Sequence, residues 1–571
     1  MTKKEQETAV RKKDDKEFTV SEVIDSFGVT KHTWFVFVLL SFALIFDGYD
    51  FMIVNSTNLF VAHTFWPDNP NPGALMGSLT TWGLLGMVIG GALCGILSDR
   101  FGRKKILVAA VIFYGAFTFP QAFANDLAFF AAFRLLAGLG VGSCIPIVYT
   151  VFSEVVPSKW RGTFITCGGA CMVGGWVIAG LVANPICNAA TPLLGDFTNA
   201  VTYLTVEGTS VSAYANWRIC YLIGAIPVIY GIVLHFAMYE TPHWYATAGR
   251  FDDAVASLAA IEKRSCGTVT ERDPHLLVVP PRPEKTTPSI LFSNKFVVAT
   301  VGIWAGYFVG QFCVYGMNAW LPAWFVGIGY SPSEAVALQT WNNVAAIVSN
   351  SIVGVFSDRF GRKKNLMGGW IFCIVAIVVC SLFVVPGNFV LCIGLMLLFG
   401  FALNWAISAV VPLMPEQYPT AVRNTGVSWC QAFARFGGSA SSIVLGGIVG
   451  MSFFQINGAT NWSQVVLVLI IPFALGIICT ALFVRDTAGK SFESLASETG
   501  SGDEDSGKGR FIVMMAIVVI LFVLCIVCPL AVEGWSKQPV ALPLMAVGML
   551  LPFAFFFIVG GQQLAKRRST R

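Results

Sequence analysis

The stretch GILSDRFGRKK, residues 95–105, returns as GVFSDRFGRKK at residues 354–364. A second echo follows in each case. Glu154-Val155-Val156-Pro157 leads to Arg161-Gly162, and Glu416-Gln417-Tyr418-Pro419 leads to Arg423-Asn424. Two matches in the same order and at the same relative places mark an internal duplication, the signal to look for before any other. The chain therefore reads as two homologous six-helix halves, 34–239 and 295–486, joined by a polar segment, 240–294.

The surroundings of these motifs are apolar. Of 571 residues, 55% are hydrophobic and 12% charged, against roughly 25% charged in soluble proteins. A lipid-spanning helix needs about 20 apolar residues. About fourteen such runs are legible: 34–57, 74–98, 105–124, 127–152, 162–186, 217–239, 296–322, 335–357, 365–386, 388–412, 424–450, 463–484, 511–531 and 540–563. The expected class is an all-α polytopic membrane protein. The fifteen cysteines lie mostly inside these runs, which predicts buried inert thiols and not a disulfide framework. The charged N-terminus, 1–33, is no cleavable signal peptide.

Basic residues alternate from one connection to the next. Lys3, Lys4, Arg11, Lys12, Lys13 and Lys16 precede the first run, and the connection near His63 to Pro72 has no Lys or Arg. Arg100, Arg103, Lys104 and Lys105 follow the second run, and the next connection holds only Asn125 and Asp126. Cytoplasmic loops carry the excess of Lys and Arg. Both ends, including the basic tail 564–571, are thus expected inside the cell's inner (plasma) membrane. The linker 487–510 is rich in Ser, Gly, Asp and Glu and reads as a flexible cytoplasmic tether before a terminal hairpin, 511–563.

The doubled loop resembles the signature of the major facilitator superfamily, and the resemblance covers about residues 30–486. It implies twelve helices in two pseudo-symmetric bundles, a central site near the bilayer midplane and alternating access by rocking. It also implies a cytoplasmic gate of inter-helix ion pairs formed by Asp99, Arg103, Glu154 and Arg161, with Asp358, Arg362, Glu416 and Arg423 as the repeat. The stretch Glu240-Thr241-Pro242-His243-Trp244 is similar to the one after helix 6 of sugar and organic-acid porters.

Few ionisable residues interrupt the first twelve runs, and such groups are costly in hydrocarbon and usually functional. The first run holds Asp47 and Asp50, three residues apart and so on one helix face. Arg134 lies in the fourth run and Arg435 in the eleventh. At about 1.5 Å per residue, Asp50 and Arg134 fall at similar depth and Arg435 near the middle. Two carboxylates close together in low dielectric cannot both ionise cheaply, so one should carry a proton near neutrality. Arginine stays charged and presents a planar fork suited to a carboxylate. Together they make a proton–anion coupling unit in which substrate and Asp compete for a cation. Static buried ion pairs are the competing reading. Further polar candidates for the cavity wall are Tyr49, Gln311, Tyr315, Asn318, Asn342, Asn343 and Asn404, with Trp320, Trp341 and Trp405 as stacking surfaces.

Asp47-Gly48-Tyr49-Asp50 resembles the helix-1 motif of the aromatic acid:proton symporters, a branch related to the sialate and carboxylate:proton symporters. Arg134 in RLLAGLGVG and Arg435 in ARFGG are similar to that branch's helices 4 and 11. The resemblance implies proton-coupled symport of a small organic anion, with Asp47 and Asp50 as the coupling acids. It implies no cofactor, the proton gradient being the energy source. The chain departs from the branch in its terminal hairpin, which reads as a partner-docking or stabilising element on a monomeric transporter. Efflux antiport of amphipathic compounds, sugar or metabolite porting and a non-transporting sensor are the alternatives. The helix-5 run CGGACMVGGWVIAG, 167–180, lacks the exporter-type proline. No P-loop, HExxH or other metal-ligand cluster is legible, and nucleic acid is not an expected partner.

Overall fold

The computed structural model describes residues 13–484, apart from 15–16, 69–72, 158–159, 205–209, 268, 279–290, 292–296, 419, 450–454 and 457–458. Both the linker 487–510 and the terminal hairpin 511–563 lie outside the described residues.

The described residues are mostly helical. After α1 (Val20–Phe27) come α2 (Lys31–Phe65), α3 (Gly73–Phe101), α4 (Arg103–Thr118), α5 (Leu127–Val155), α6 (Arg161–Cys187), α7 (Trp217–Ile223) and α8 (Ile226–Ala237). The linker forms α9 (Pro242–Thr247) and α10 (Phe251–Cys266). The second half holds α11 (Val297–Gly327), α12 (Pro332–Phe360), α13 (Arg362–Phe383), α14 (Phe389–Glu416), α15 (Thr420–Val449), α16 (Trp462–Leu467) and α17 (Ile470–Phe483). Helices occupy each of the first twelve apolar runs. Among the described residues, eight helical stretches are long and apolar enough to cross a membrane by length and composition.

Prolines account for most departures from unbroken runs. The third run ends α4 at Thr118 and tightens into a 3₁₀ turn, Phe119–Phe123, around Pro120. The sixth divides between α7 and α8, where Pro227 opens α8 and supplies no N–H to the preceding turn. The twelfth divides between α16 and α17. Where a helix starts cleanly the cap is in the sequence: Ser331 and Glu334 form a capping box at α12, with Pro332 at the first helical position.

The duplication is visible in the backbone. The glycine of each FGRKK turn has positive φ, 109° at Gly102 and 90° at Gly361, a conformation only glycine adopts without strain. Within halves, α3 packs on α5, α2 on α6, α11 on α15 and α12 on α14; between halves, α15 packs on α3 and α12 on α6. One apolar core runs through both halves. Gly48 explains one close approach, because a Cβ there would strike the Met172 carbonyl of α6.

A second, smaller core lies outside the bundles. The strand β1 (Lys13–Asp14) pairs in parallel with a linker strand, Glu271–Arg272, and Phe18 bridges to Leu277. Phe18, Val20, Val23 and Ile24 of the N-terminal segment pack there on Ala254 and Leu258 of α10. The N-terminal segment and the linker thus fold together as one module.

Candidate functional site

Asp50 is tied down on three sides. Its Oδ2 meets Arg134 Nη1 at 2.9 Å, its own carbonyl accepts Arg134 Nη2 at 2.9 Å, and its Oδ1 accepts the Thr118 hydroxyl. The contact joins α2, α4 and α5. Both charges are buried, Asp50 at 1% exposure and Arg134 at 3%, the setting in which a pair holds only if its remaining valences are filled. Gly83 of α3 leaves room for the guanidinium, since a Cβ there would lie 2.7 Å from Arg134 Nε.

Asp47, one turn away, is equally buried at 1%, yet its Oδ1 has no hydrogen-bond partner among the described residues. It feels the charges of Asp50 and Arg435. Tyr149 of α5 and Tyr315 of α11 lie in the shared field of Asp47 and Arg435. Arg435, on α15, donates from Nη1 to the carbonyls of Met87 at 3.2 Å and Gly142 at 3.3 Å, both in the first half. Phe51 faces Tyr315 at 4.8 Å and Trp176 at 5.6 Å between ring centroids. Two acids, an arginine with no carboxylate at ion-pair distance among the described residues, and the rings of Phe51, Trp176 and Tyr315 therefore meet where the halves join.

The other cavity candidates divide. Tyr315 and the buried Gln311 sit on the α11 face near Arg435, and Tyr307 joins them. The Tyr49 hydroxyl is committed to the Cys220 carbonyl at 2.9 Å. Asn404 donates back to the Gly400 carbonyl within α14. Asn318 donates to Val314, leaving its own Oδ1 unpartnered, as are both amide ends of Asn342 and the Oδ1 of Asn343. Asn342 presses on α14, where a Cβ on Gly400 would strike its carbonyl. Trp341 is exposed, and Trp405 donates to Asn365 at 3.1 Å. Thr118, Tyr149, Phe51 and Trp176 are contributions that sequence reasoning missed. None is charged, so nothing marks them in an apolar run.

At the proposed gate, Arg103 Nε meets Glu154 Oε1 at 3.2 Å, and Glu154 also accepts the Thr241 hydroxyl. Glu240 is an addition. Its Oε1 accepts the main-chain N–H of Arg103 at 2.9 Å and Lys104 at 3.1 Å, capping α4 where the helix dipole favours an anion. Burial raises its carboxyl above the usual range, and these N–H groups oppose that rise. Arg161 and Arg362 open α6 and α13. The side chains of Asp99, Asp358, Glu416 and Arg423 lie outside the described residues. Nearby, His243 pairs with Ser21 of α1 at 3.1 Å, and burial, with Arg161 and Arg103 beside it, lowers its imidazole to about 4. The described cysteines are free thiols, and no cluster of metal-ligating side chains occurs among the described residues.

The sequence profile of the Major Facilitator Superfamily matches residues 40–442 and, in a second match, 327–571. The niacin transporter NiaP of Acinetobacter baylyi is 28% identical over 432 residues, covering 74% of this chain and 88% of that protein. The 4-hydroxybenzoate transporter PcaK of Pseudomonas aeruginosa is 28% identical over 483 residues, covering 81% of this chain and 95% of that one. Among solved structures, a D-xylose-proton symporter aligns with a TM-score of 0.60 at 18% identity, over 80% of this chain and 99% of its own. At that identity the likeness is one of fold.

Proposed function

We propose, from the premise that this chain belongs to the major facilitator superfamily and is a multi-pass membrane transporter rather than an enzyme, that it imports a small aromatic carboxylate together with protons. The relatives named for niacin and 4-hydroxybenzoate support the cargo class, since both compounds are flat aromatic acids. The observation that carries the reading is the division of labour among four buried charges. Asp50 is consumed by Arg134, and the pair holds α2 to α5. Asp47 has an unpartnered oxygen, and Arg435 has no carboxylate at ion-pair distance among the described residues.

Arg435 takes the cargo carboxylate, and Phe51, Trp176 and Tyr315 supply ring surfaces for its aromatic body. Once the anion occupies Arg435, Asp47 loses the field of that cation and holds a proton instead. Cargo and proton therefore favour each other's binding, which is the thermodynamic content of symport. The proton gradient supplies the energy and no cofactor takes part. The transporter is a monomer of about fourteen spans in the inner membrane, with both termini cytoplasmic and the terminal hairpin available to a partner.

Uptake of labelled 4-hydroxybenzoate into proteoliposomes, with and without an inward proton gradient, tests this. Gradient-driven accumulation is expected, and D47N should retain exchange while losing dependence on the gradient. Gradient-driven extrusion, or accumulation indifferent to pH from about 5 to 8, would overturn it.

A further inference from the structure

Pro146 lies inside α5. Proline has no N–H, so the carbonyl four residues earlier loses its helical partner. That carbonyl belongs to Gly142. In a membrane interior such a group must be satisfied from elsewhere. Here the donor comes from the opposite half: Arg435 Nη1, 3.3 Å from Gly142 O and 3.2 Å from Met87 O. Two carbonyls from two helices reach one nitrogen because nothing stands between them. A Cβ on Gly142 would strike the Met87 carbonyl, and a Cβ on Gly91 would strike Arg435 Nη1 itself. Arg435 is 6% exposed, and among the described residues this buried cation donates to peptide carbonyls, with Asp47 the nearby carboxylate whose charge it feels.

We propose that the cargo carboxylate and the Gly142 carbonyl freed by Pro146 compete for Arg435, so that the empty transporter is held closed along the α3–α15 seam and the anion unlatches it. This rests on the reading that the cargo is a carboxylate. A carboxylate offers a charge-assisted, two-pronged partner about twice as strong as a neutral acceptor, so it wins the guanidinium. Its gain is reduced because Gly142 O is left without a donor again, a cost that buried carbonyls carry in full. The resting contact thus lowers affinity, and in return it ties occupancy of the site to the freedom of the two halves. A ligand shifts such an equilibrium only through a difference in its contacts with the two states, and Arg435 has different contacts in each.

P146A restores an N–H at position 146, satisfies Gly142 O within α5 and removes the competitor. G91A displaces Nη1 from the carbonyls without changing any charge. Dyes on F101C and F360C, at the exposed ends of α3 and α12 in opposite halves, report separation of the halves in ligand-free protein. Calorimetry with 4-hydroxybenzoate, nicotinate and benzoate reports affinity. P146A should bind the acid that wild type prefers about tenfold more tightly, the worth of one hydrogen bond to a charged group. R435Q should bind it at least tenfold more weakly. Ligand-free P146A and G91A should both show the broadened dye distances that wild type shows only with acid bound. Unchanged distances in both variants, or P146A binding no tighter than wild type, overturn the latch. Wild-type protein that binds none of the three acids overturns the functional reading instead, and the ligand-free distances still decide the seam.

Discussion

Asp47 and Asp50 share one face of α2 and differ in everything that matters to an ionised carboxylate. Asp50 has Arg134, Thr118 and a fixed geometry, whereas Asp47 has an oxygen with no donor. Substitution should separate them. D50N leaves the Arg134 guanidinium buried beside a neutral amide, and breaking one side of a buried pair costs about 3 kcal/mol or more. D47N replaces a side chain whose Oδ1 no donor supports, so the fold should be little affected. Thermal unfolding of the two purified variants checks this, and R134Q added to D50N should recover part of the loss. If D47N proves the more damaging to stability, the division of roles is wrong. Both acids and both arginines were legible because an ionisable residue stands out in an apolar run. Their partners were not. Thr118 resembles any helix-end threonine, and main-chain acceptors have no letter of their own. Only Pro146 in its run could have pointed to a freed carbonyl at Gly142.

At the scale of elements, runs of apolar residues located the helices, and prolines located where those helices break. The N-terminal module escaped notice because its apolar residues are few and their partners lie more than two hundred positions later in the chain. Within it the Ser21–His243 hydrogen bond joins α1 to α9, and this bond has a calculable pH dependence. The folded module holds His243 at about 4, below the ordinary value of about 6.5. The unfolded segment therefore takes up the proton first as pH falls. The module is at full stability above about pH 6.5 and loses it progressively down to about pH 4, with a loss of about 2 kcal/mol at pH 5. Hydrogen exchange of the α1 amides, corrected for intrinsic rates, should show protection falling between pH 7.5 and 5 in wild type and much less in H243Q. An equal fall in both would assign the effect to another group.

For the whole molecule, the repeated GRKK turns disclosed the two halves, but nothing in the sequence disclosed how they touch. Besides Arg435, the contacts are made by uncharged polar residues that look unremarkable in a membrane helix. Ser56 reaches Gln339 at 3.3 Å, Asn58 donates to the Ala319 carbonyl at 2.7 Å, and Ser333 donates to Asn184 at 2.9 Å. Gln339 in turn donates to the Asn318 carbonyl, which Pro322 leaves without its helical N–H. In the proposed orientation these residues occupy the outer ends of α2, α6, α11 and α12, and in that orientation the described state is shut toward the outside. The seal is incomplete: Asn58 Oδ1 and Asn318 Oδ1 are buried without donors, and a half-satisfied polar layer is easier to part than an apolar core. Its bonds are each worth about 1 kcal/mol net, so removing the three that Asn58 and Gln339 make should raise the outward-open population about a hundredfold. N58A combined with Q339A tests this through the rate at which an impermeant maleimide, added outside, labels A319C. Faster labelling than in A319C alone is expected, and more cargo should then be needed to protect the thiol. A rate unmoved by both substitutions would mean that the halves are held at the outer face by packing, and that these polar contacts ride on the closure without setting it.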